Sequence, residues 1–158
     1  MNILVLCTGN SARSILLESI FNTDGAGRVR AYSAGSHPTG RVHPQSLRLL
    51  SSRGHDISQA RSKSWDEFAS CDAPQMDVVI TVCSAAAGET CPLWSGAPIS
   101  VHWGVDDPAA ATKDERATAF ETAYALLQGR ARSLLDLPFE AMDRGALKTA
   151  LTQIGDFR

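Results

Sequence analysis

The sequence contains no apolar run that approaches the roughly 18–20 residues needed to span a bilayer. It also lacks a basic leader, because Met1 is followed at once by a short apolar stretch, and this argues against a secretory signal. Neither sign of charge is in excess: the formal net charge is −2 over 158 residues. We therefore expect a cytoplasmic protein without nucleic-acid or membrane partners.

Cysteine is scarce, and its spacing excludes one common use. The four cysteines, at positions 7, 71, 83 and 91, form no C-x-x-C pair, and no histidine has close ligand spacing with a cysteine. Zinc sites need such spacings, so we predict neither a metal site nor a cofactor. In a reducing cytoplasm, free cysteines are more often catalytic than structural.

Short apolar runs alternate with helical patterns along the chain. Strands are predicted over 2–6, 29–33, 77–82 and 99–102; helices are predicted over 15–21, 43–53 and 113–135, with one more short helix packed on the outside over 142–154. The spacing of Ala117, Phe120, Tyr124 and Leu127 predicts one core face on the long helix. This order favours a single α/β domain with a four-stranded parallel sheet flanked by helices. Ligands of such sheets lie at the carboxyl ends of the strands.

The segment Cys7-Thr8-Gly9-Asn10-Ser11-Ala12-Arg13-Ser14 lies between the first predicted strand and the first predicted helix. The N–H groups of such a loop point into a concavity, where the helix dipole also favours negative charge. An arginine adds a planar fork that can grip two oxygens of a tetrahedral oxyanion. The segment therefore predicts an oxyanion cradle, with Thr8, Gly9, Asn10, Ser11, Ala12 and Arg13 as its binding residues.

Cys7 is the predicted nucleophile in the floor of this cradle. A cysteine with a pKa of ~8.5 is only a few per cent thiolate at neutral pH. Lowering that pKa by ~2 units takes about 2.7 kcal/mol, which a helix N-terminus and Arg13 can supply. We expect Ser14 to donate a hydrogen bond to the thiolate. The alternative is a buried structural cysteine with Arg13 as a surface residue.

Several segments, in this order, resemble the low-molecular-weight protein tyrosine phosphatase fold and, within it, the arsenate reductases built on that fold. They are the loop 7–14, Tyr32-Ser33-Ala34-Gly35, Val79-Ile80-Thr81-Val82-Cys83, Cys91-Pro92 and His102-Trp103-Gly104-Val105-Asp106-Asp107-Pro108. The resemblance covers a core of about residues 1–134 and leaves 138–158 as a C-terminal extension of the same domain. It implies an enzyme that reduces arsenate to arsenite.

The resemblance also implies a thiol relay. Cys7 attacks arsenate, Cys83 attacks Cys7 and releases arsenite, and Cys91 then takes over the disulfide with Cys83. Cys83 and Cys91 are eight residues apart, which is about 12 Å on a helix, whereas a disulfide needs a Cα separation below ~7 Å. A helix between them must unwind on oxidation, and Gly88 would ease this. The alternative is that Cys83 is a small core residue and Cys91 is incidental.

Two departures from the thioredoxin-linked arsenate reductases stand out. The second cysteine pair is one residue further apart, and Ala12 stands where those enzymes often carry a cysteine outside the relay. Neither departure removes a participant. The longer spacing leaves the electron donor open between thioredoxin and glutathione with glutaredoxin, and in the second case Cys91 would have no role.

The resemblance implies that Asp107, held by Pro108, is the general acid that protonates the leaving oxygen. Its competitor is Asp106, which we expect to be solvated or to cap a turn.

Some related reductases bind potassium with residues like Asn10, Glu18 and Ser33 and with an aspartate whose place Lys63 takes here. We predict that the Lys63 ammonium pairs with Glu18 and that there is no potassium site. The alternative is a solvated surface lysine.

The main enzymatic rival is a phosphotyrosine phosphatase that uses the same nucleophile, arginine and acid. Phosphatases of this size resemble one another in having aromatic residues after the Asp-Pro pair, whereas Ala109, Ala110 and Ala111 leave no aromatic wall here. A non-enzymatic rival is a redox-sensing or phosphoprotein-binding module. The remaining candidates for chemistry are predicted to be non-catalytic: Cys71, His37, His43, His55 and His102.

Overall fold

The computed structural model describes residues 1–157, and its centre is a four-stranded parallel sheet. The strands are β1 Asn2–Cys7, β2 Arg30–Gly35, β3 Val78–Thr81 and β4 Ile99–His102, in the order β2-β1-β3-β4. The helices are α1 Arg13–Asp24, α2 Pro44–Ser52, α3 Ser84–Gly88, α4 Arg116–Leu135 and α5 Arg144–Asp156. Single 3₁₀ turns span Trp65–Phe68, Pro108–Ala110 and Phe139–Ala141. The predicted fold class is confirmed.

The central strand β1 separates two apolar layers, because successive side chains of a strand point to opposite faces. Ile3 and Val5 belong to the larger core, which also contains the apolar faces of α1, α2, α4 and α5. Leu4 and Leu6 belong to a smaller cluster, which Phe68 and the loops around it cover. All four of these β1 side chains are fully buried, so the strand is held from both sides.

The long helix α4 presents the predicted core face, with one exception. Phe120, Tyr124 and Leu127 are buried. Ala117 is exposed, so its assignment to that face was wrong. Ala117 lies in the first turn of a helix that begins at Arg116, and the buried stripe starts only at Phe120. None of the helices described in residues 1–157 is long and apolar enough to cross a membrane.

The C-terminal helix α5 is better integrated than a helix packed on the outside. Asp143 caps it by accepting a hydrogen bond from the Ala146 N–H at 2.9 Å. Leu147, Leu151 and Ile154 are buried in the larger core. Residues beyond 138 therefore complete the hydrophobic core of the domain.

Three strands bring their following loops to one edge of the sheet. Leu6 of β1 pairs with Thr81 of β3, and Thr81 pairs with His102 of β4. Cys7, Cys83 and the loop that starts at Trp103 consequently leave the sheet side by side. This is the edge at which parallel sheets bind ligands.

Candidate active site

The loop after β1, residues 7–13, which we call the oxyanion loop, is fixed by a buried asparagine. Asn10 is fully buried and adopts φ +45°, the left-handed conformation that asparagine tolerates. Its Nδ2 donates to Ser14 Oγ and Ser33 Oγ, both at 2.9 Å, and its Oδ1 accepts from the Lys63 N–H at 2.9 Å. The asparagine therefore sets the turn of the loop and ties it to two neighbouring segments.

The end of β2 supports the oxyanion loop at van der Waals distance. A Cβ on Gly35 would lie 2.4 Å from the Thr8 carbonyl oxygen and 3.0 Å from that of Cys7. Only glycine permits this approach. The role of Gly35 was missed in the sequence, where the residue was only part of a motif; a close backbone approach is the signal that such a glycine carries.

Cys7 and Cys83 face each other beneath this loop. Both side chains are buried, with 6% and 5% exposure, and both cysteines are free thiols. Cys83 Sγ accepts hydrogen bonds from the N–H groups of Thr8 and Ala86, each at 3.4 Å, and lies 3.6 Å from Thr8 Oγ1. Cys83 is thus the residue that caps the first turn of α3.

The surroundings of the two sulfurs in this conformation favour the thiolate form of Cys83. The hydrogen bond from Cys7, with those from Ala86 and Thr8, lowers the pKa of Cys83 to about 5. The pKa of Cys7 is raised by the hydrogen bond to Cys83 and by burial, although the charge of Arg13 lowers it. In this conformation the Thr8 N–H, one of the loop donors, reaches Cys83 Sγ. A Cys7 thiolate beneath the cradle stays a prediction.

Arg13 lies at the mouth of the loop and bridges it to the segment after β4. Its Nη1 donates to the Val105 carbonyl oxygen at 2.9 Å, and its Nη2 lies 3.5 Å from Asp107 Oδ2. Its Nε is buried and has no hydrogen-bond partner among the described residues. That N–H is a free donor for an oxyanion oxygen, and the side chain is only 14% exposed.

Ser14 was expected to donate a hydrogen bond to Cys7, and it does not do so in this structure. It is fully buried at the start of α1, and its Oγ accepts from Asn10 Nδ2. No hydrogen bond joins Ser14 to Cys7 within residues 1–157 in this conformation. The structure places Ser14 behind the loop, where it supports the asparagine that shapes the loop.

Asp107, rather than Asp106, faces the oxyanion loop through its ion pair with Arg13. Its Oδ1 accepts from the Ala109 N–H at 3.1 Å and so caps the turn Pro108–Ala110. Turn capping was the role expected for Asp106. Both aspartates line a surface cavity of about 530 Å³ whose floor contains Pro108 and Ala111. The Asp107 side chain retains 43% exposure, so it is open to solvent.

Cys91 lies on the other face of the sheet from Cys83. It packs against the smaller apolar cluster, whereas Cys83 belongs to the larger core. The helix α3, over Ser84–Gly88, separates the two in the chain. Burial raises the pKa of the Cys91 thiol, and the nearby charge of Glu89 raises it further. Cys91 lines a groove of about 510 Å³, next to Leu93 and Trp94.

The predicted pairing of Lys63 with Glu18 is present in the structure. Lys63 Nζ lies 3.7 Å from Glu18 Oε2 and 3.5 Å from Ser33 Oγ, and it donates to the Arg61 carbonyl oxygen at 3.2 Å. Lys63 is 7% exposed, so it is not a solvated surface lysine. Burial raises the pKa of Glu18 and lowers that of Lys63, while their mutual attraction opposes both shifts.

The histidines make packing and capping contacts. His43 Nδ1 accepts from the Gln45 N–H and caps α2, and the His43 ring lies 4.9 Å from that of Phe120. His55 is buried and bonds Tyr124 Oη at 2.8 Å. The remaining cysteine, Cys71, is exposed in a turn. No group of three or more potential metal ligands occurs in the part of the chain that the structure describes.

Comparison with known proteins agrees with this geometry. The family model described as low molecular weight phosphotyrosine protein phosphatase matches residues 2–147. The chain belongs to this family. The match includes the oxyanion loop, Cys83, Cys91 and the loop that carries Asp107.

Similar proteins within the family include arsenate reductases. The chain is 37% identical to the arsenate reductase of Halalkalibacterium halodurans over 120 residues, which is 75% of this chain and 83% of that protein. It is 32% identical to the glutaredoxin arsenate reductase of Synechocystis sp. over 106 residues, 67% of this chain and 77% of that one. A solved structure, an arsenate reductase in the phosphate binding state, shares the fold with a TM-score of 0.69 at 28% identity; it covers 85% of this chain and 95% of its own.

Proposed function

We propose that this protein is an arsenate reductase, which converts arsenate to arsenite in the cytoplasm by a Cys7/Cys83/Cys91 thiol relay. The observation that carries the proposal is the second buried cysteine, Cys83, against the nucleophile of an oxyanion loop. A phosphatase needs only one cysteine at this place, whereas a reductase needs a second sulfur to accept the disulfide.

The first step begins with a proton transfer between the two sulfurs. Cys83 carries the negative charge and takes the proton of Cys7, which leaves a Cys7 thiolate beneath the loop. The loop N–H groups and the Arg13 fork hold the arsenate oxygens. The thiolate attacks arsenic, a S–As bond forms, and the leaving oxygen takes a proton from Asp107 and departs as water.

The second step reduces arsenic. The Cys83 sulfur attacks the Cys7 sulfur, and the S–As bond breaks with its electron pair on arsenic. The proton of Cys83 goes to the departing arsenic oxyanion. Arsenic(V) thus becomes arsenic(III) as arsenite, while the two cysteines are oxidised to a disulfide.

The third step transfers the disulfide to the surface. A Cys91 thiolate attacks Cys83, a Cys83–Cys91 disulfide forms, and Cys7 leaves with the electron pair. Cys91 must first leave the smaller cluster and pass the sheet edge, so the short helix α3 has to unwind. Its five residues are held by few backbone hydrogen bonds, which supports this motion.

The groove around Cys91 favours a protein electron donor of the thioredoxin type over glutathione. The described residues that line it include no lysine or arginine, so the carboxylates of glutathione have no such partner there. Leu93 beside it is 96% exposed, which suits the apolar surface around the cysteine of a dithiol protein. The test is to compare the rates at which thioredoxin and glutathione reduce the Cys83–Cys91 disulfide.

We further propose that Lys63 takes the place of the potassium ion that some relatives bind. Its ammonium already lies against Glu18, Ser33 and a backbone carbonyl, the groups that a monovalent cation would need. A cation added beside it would meet a like charge in a buried site.

The experiment that tests the function compares two activities of the same preparation. Thiol-dependent arsenate reduction should proceed with a thioredoxin system, and hydrolysis of p-nitrophenyl phosphate should be slow by comparison. Rapid p-nitrophenyl phosphate hydrolysis without arsenate reduction would instead establish a phosphatase. Absence of both activities would favour a binding or redox-sensing module.

A further inference from the structure

The loop that carries the proposed acid, residues 103–107, is held by backbone hydrogen bonds at one end. We call it the acid loop. The Trp103 N–H donates to the Thr81 carbonyl oxygen at 2.8 Å, and the Val105 N–H donates to that of Val82 at 3.1 Å. The Val105 carbonyl oxygen accepts from Arg13. The inner side of the loop is therefore tied to β3 and to the oxyanion loop.

The outer side of the acid loop borders a cavity of about 490 Å³. Its lining includes Gly104, Asp106, Arg130, Gly155 and Asp156. Across this space, in the described part of the chain, Gly104 and Asp106 make no backbone hydrogen bond to the end of α5. One side chain, that of Arg130 on α4, spans the gap.

Arg130 is a buried arginine, 4% exposed, whose hydrogen bonds all go to backbone carbonyl groups. Its Nη1 donates to the Gly104 carbonyl oxygen at 3.1 Å. Its Nε and Nη2 donate to the Phe157 carbonyl oxygen at 3.1 and 2.7 Å. No carboxylate lies within salt-bridge distance of it among the described residues. Burying a guanidinium is costly, and the hydrogen bonds to these two carbonyls and the nearby charge of Asp156 offset that cost.

The end of α5 also presses directly on the start of the acid loop. The Trp103 indole N–H donates to the Leu151 carbonyl oxygen at 2.9 Å. A Cβ on Gly155 would lie 2.6 Å from both the His102 carbonyl oxygen and Trp103 Cδ1. The last turns of α5 lie beyond residue 147, where the family match ends.

We infer that Arg130 is a positioning residue for the reaction: with the last turns of α5 it holds Gly104, and through the acid loop it sets where Asp107 stands relative to Arg13. This role of Arg130 depends on the proposed function only in that Asp107 is the acid. Gly104 is three residues from Asp107, and Val105 between them is also the acceptor of Arg13. A shift of the loop therefore moves the acid and loosens the arginine together.

The test is a double-mutant cycle between Arg130 and Asp107 in arsenate reduction, measured below the unfolding temperature of every variant. Arg130→Met should lower kcat about tenfold, because small misplacements of an acid are expensive. In an Asp107→Asn background the same change should have little further effect, since no acid is left to position. Arg132→Met is the matched control: Arg132 is 65% exposed on the same helix and lies 4.0 Å from Asp24. It should leave kcat unchanged.

Two results would overturn the inference: a wild-type kcat for folded Arg130→Met, or the same loss in both backgrounds, which would mean a general structural role. If Arg130→Met does not fold, Arg130→Lys keeps one donor and should show a smaller loss that also vanishes with Asp107→Asn. If the wild-type protein reduces no arsenate, the proposed function fails, and the same cycle is measured with p-nitrophenyl phosphate, whose hydrolysis would use the same acid.

Discussion

The oxyanion loop and the segment 83–91 carry the two halves of the proposed chemistry, and they are built in opposite ways. In the loop, Asn10 is fully buried and its amide makes three hydrogen bonds, while Gly35 presses against the backbone from β2. In the second segment, a five-residue helix links a buried Cys83 to a half-buried Cys91, and a Cβ on Gly88 would meet nothing within 4 Å.

This difference follows what each half must do. Binding an oxyanion requires donors that stay in place, because reorganisation during the reaction would cost rate. Carrying a disulfide from the interior to the surface requires a segment with little local stability. The rigid oxyanion loop and the weakly held segment 83–91 are therefore complementary parts of the proposed reaction cycle.

The largest effect is expected from removing the nucleophile of the ordered half. Cys7→Ser should lower arsenate reduction by at least about 10³-fold, since a serine alkoxide is not accessible near neutral pH. The assay is thiol-dependent arsenite production. Cys71→Ser is the matched control, because Cys71 is exposed and outside the site. Measurable turnover in Cys7→Ser would show that another group is the nucleophile.

Removing the Cys91 sulfur should prevent repeated turnover but leave the first turnover intact. Cys91→Ser should complete about one turnover and then stall with a thioredoxin system, because the Cys7–Cys83 disulfide stays shielded. In the wild type, one turnover without reductant should leave Cys83–Cys91 oxidised and Cys7 open to alkylation. Hydrogen exchange should then be faster over residues 84–90 while the strands stay protected.

Continued turnover of Cys91→Ser at the wild-type rate with glutathione would contradict the role proposed for Cys91 in the segment 83–91. The enzyme would then be a glutathione-coupled reductase in which Cys91 only packs. Mass spectrometry of single-turnover mixtures gives a second check: a dominant Cys7–Cys91 or Cys7–Cys71 disulfide in the wild type would reorder the relay.

Replacing Arg13 of the oxyanion loop, even by lysine, should impair the reaction with arsenate. Arg13→Lys should reduce kcat/KM for arsenate about 10²-fold, since an ammonium cannot supply the planar fork and loses the free Nε donor. Steady-state kinetics with arsenate measures this, and Arg132→Lys on the surface serves as the comparison. Wild-type kinetics in Arg13→Lys would mean that the loop N–H groups alone bind the oxyanion.

The junction of the two regions should show a pH-dependent thiolate. As the pH falls through about 5, Cys83 should take up a proton and the ultraviolet absorbance of one thiolate should disappear. Cys7→Ala removes the donor and should move this transition to higher pH, because the hydrogen bond from Cys7 is the largest cause of the low pKa. Cys83→Ser should abolish the transition. A wild-type protein without any thiolate at neutral pH would refute the proton transfer that starts the proposed reaction.

The smallest effect is expected from removing the charge of Lys63 beneath the oxyanion loop. Lys63→Gln leaves Glu18 without its cation and should cost about 1–2 kcal/mol of unfolding free energy, less than a fully buried pair because Glu18 is 21% exposed. Urea unfolding measures this, with Arg61→Gln as the control at an exposed pair. Wild-type activity and stability should be the same in potassium and sodium salts. A specific gain in potassium would show that Lys63 does not replace the cation.

The sequence by itself determined the elements and the chemistry that are local in the chain. An apolar run, a loop with a cysteine and an arginine, and a following helix are contiguous, so their order already predicts a nucleophile beneath oxyanion donors. The alternation of strands and helices was enough to predict a parallel sheet, whereas the role of Asp107 was implied only by the family resemblance of the segment 102–108.

Only the tertiary structure decided the properties that depend on contacts between distant segments. The pKa of Cys83 is low chiefly because Cys7 donates a hydrogen bond to it, and the Thr8 N–H, 75 positions away, adds to the effect. Cys91 starts on the other face of the sheet, and Arg130 reaches both Gly104 and Phe157. Hydrogen bonds and burial set pKa values and loop positions through space, and spacing along the chain does not encode which distant groups will meet.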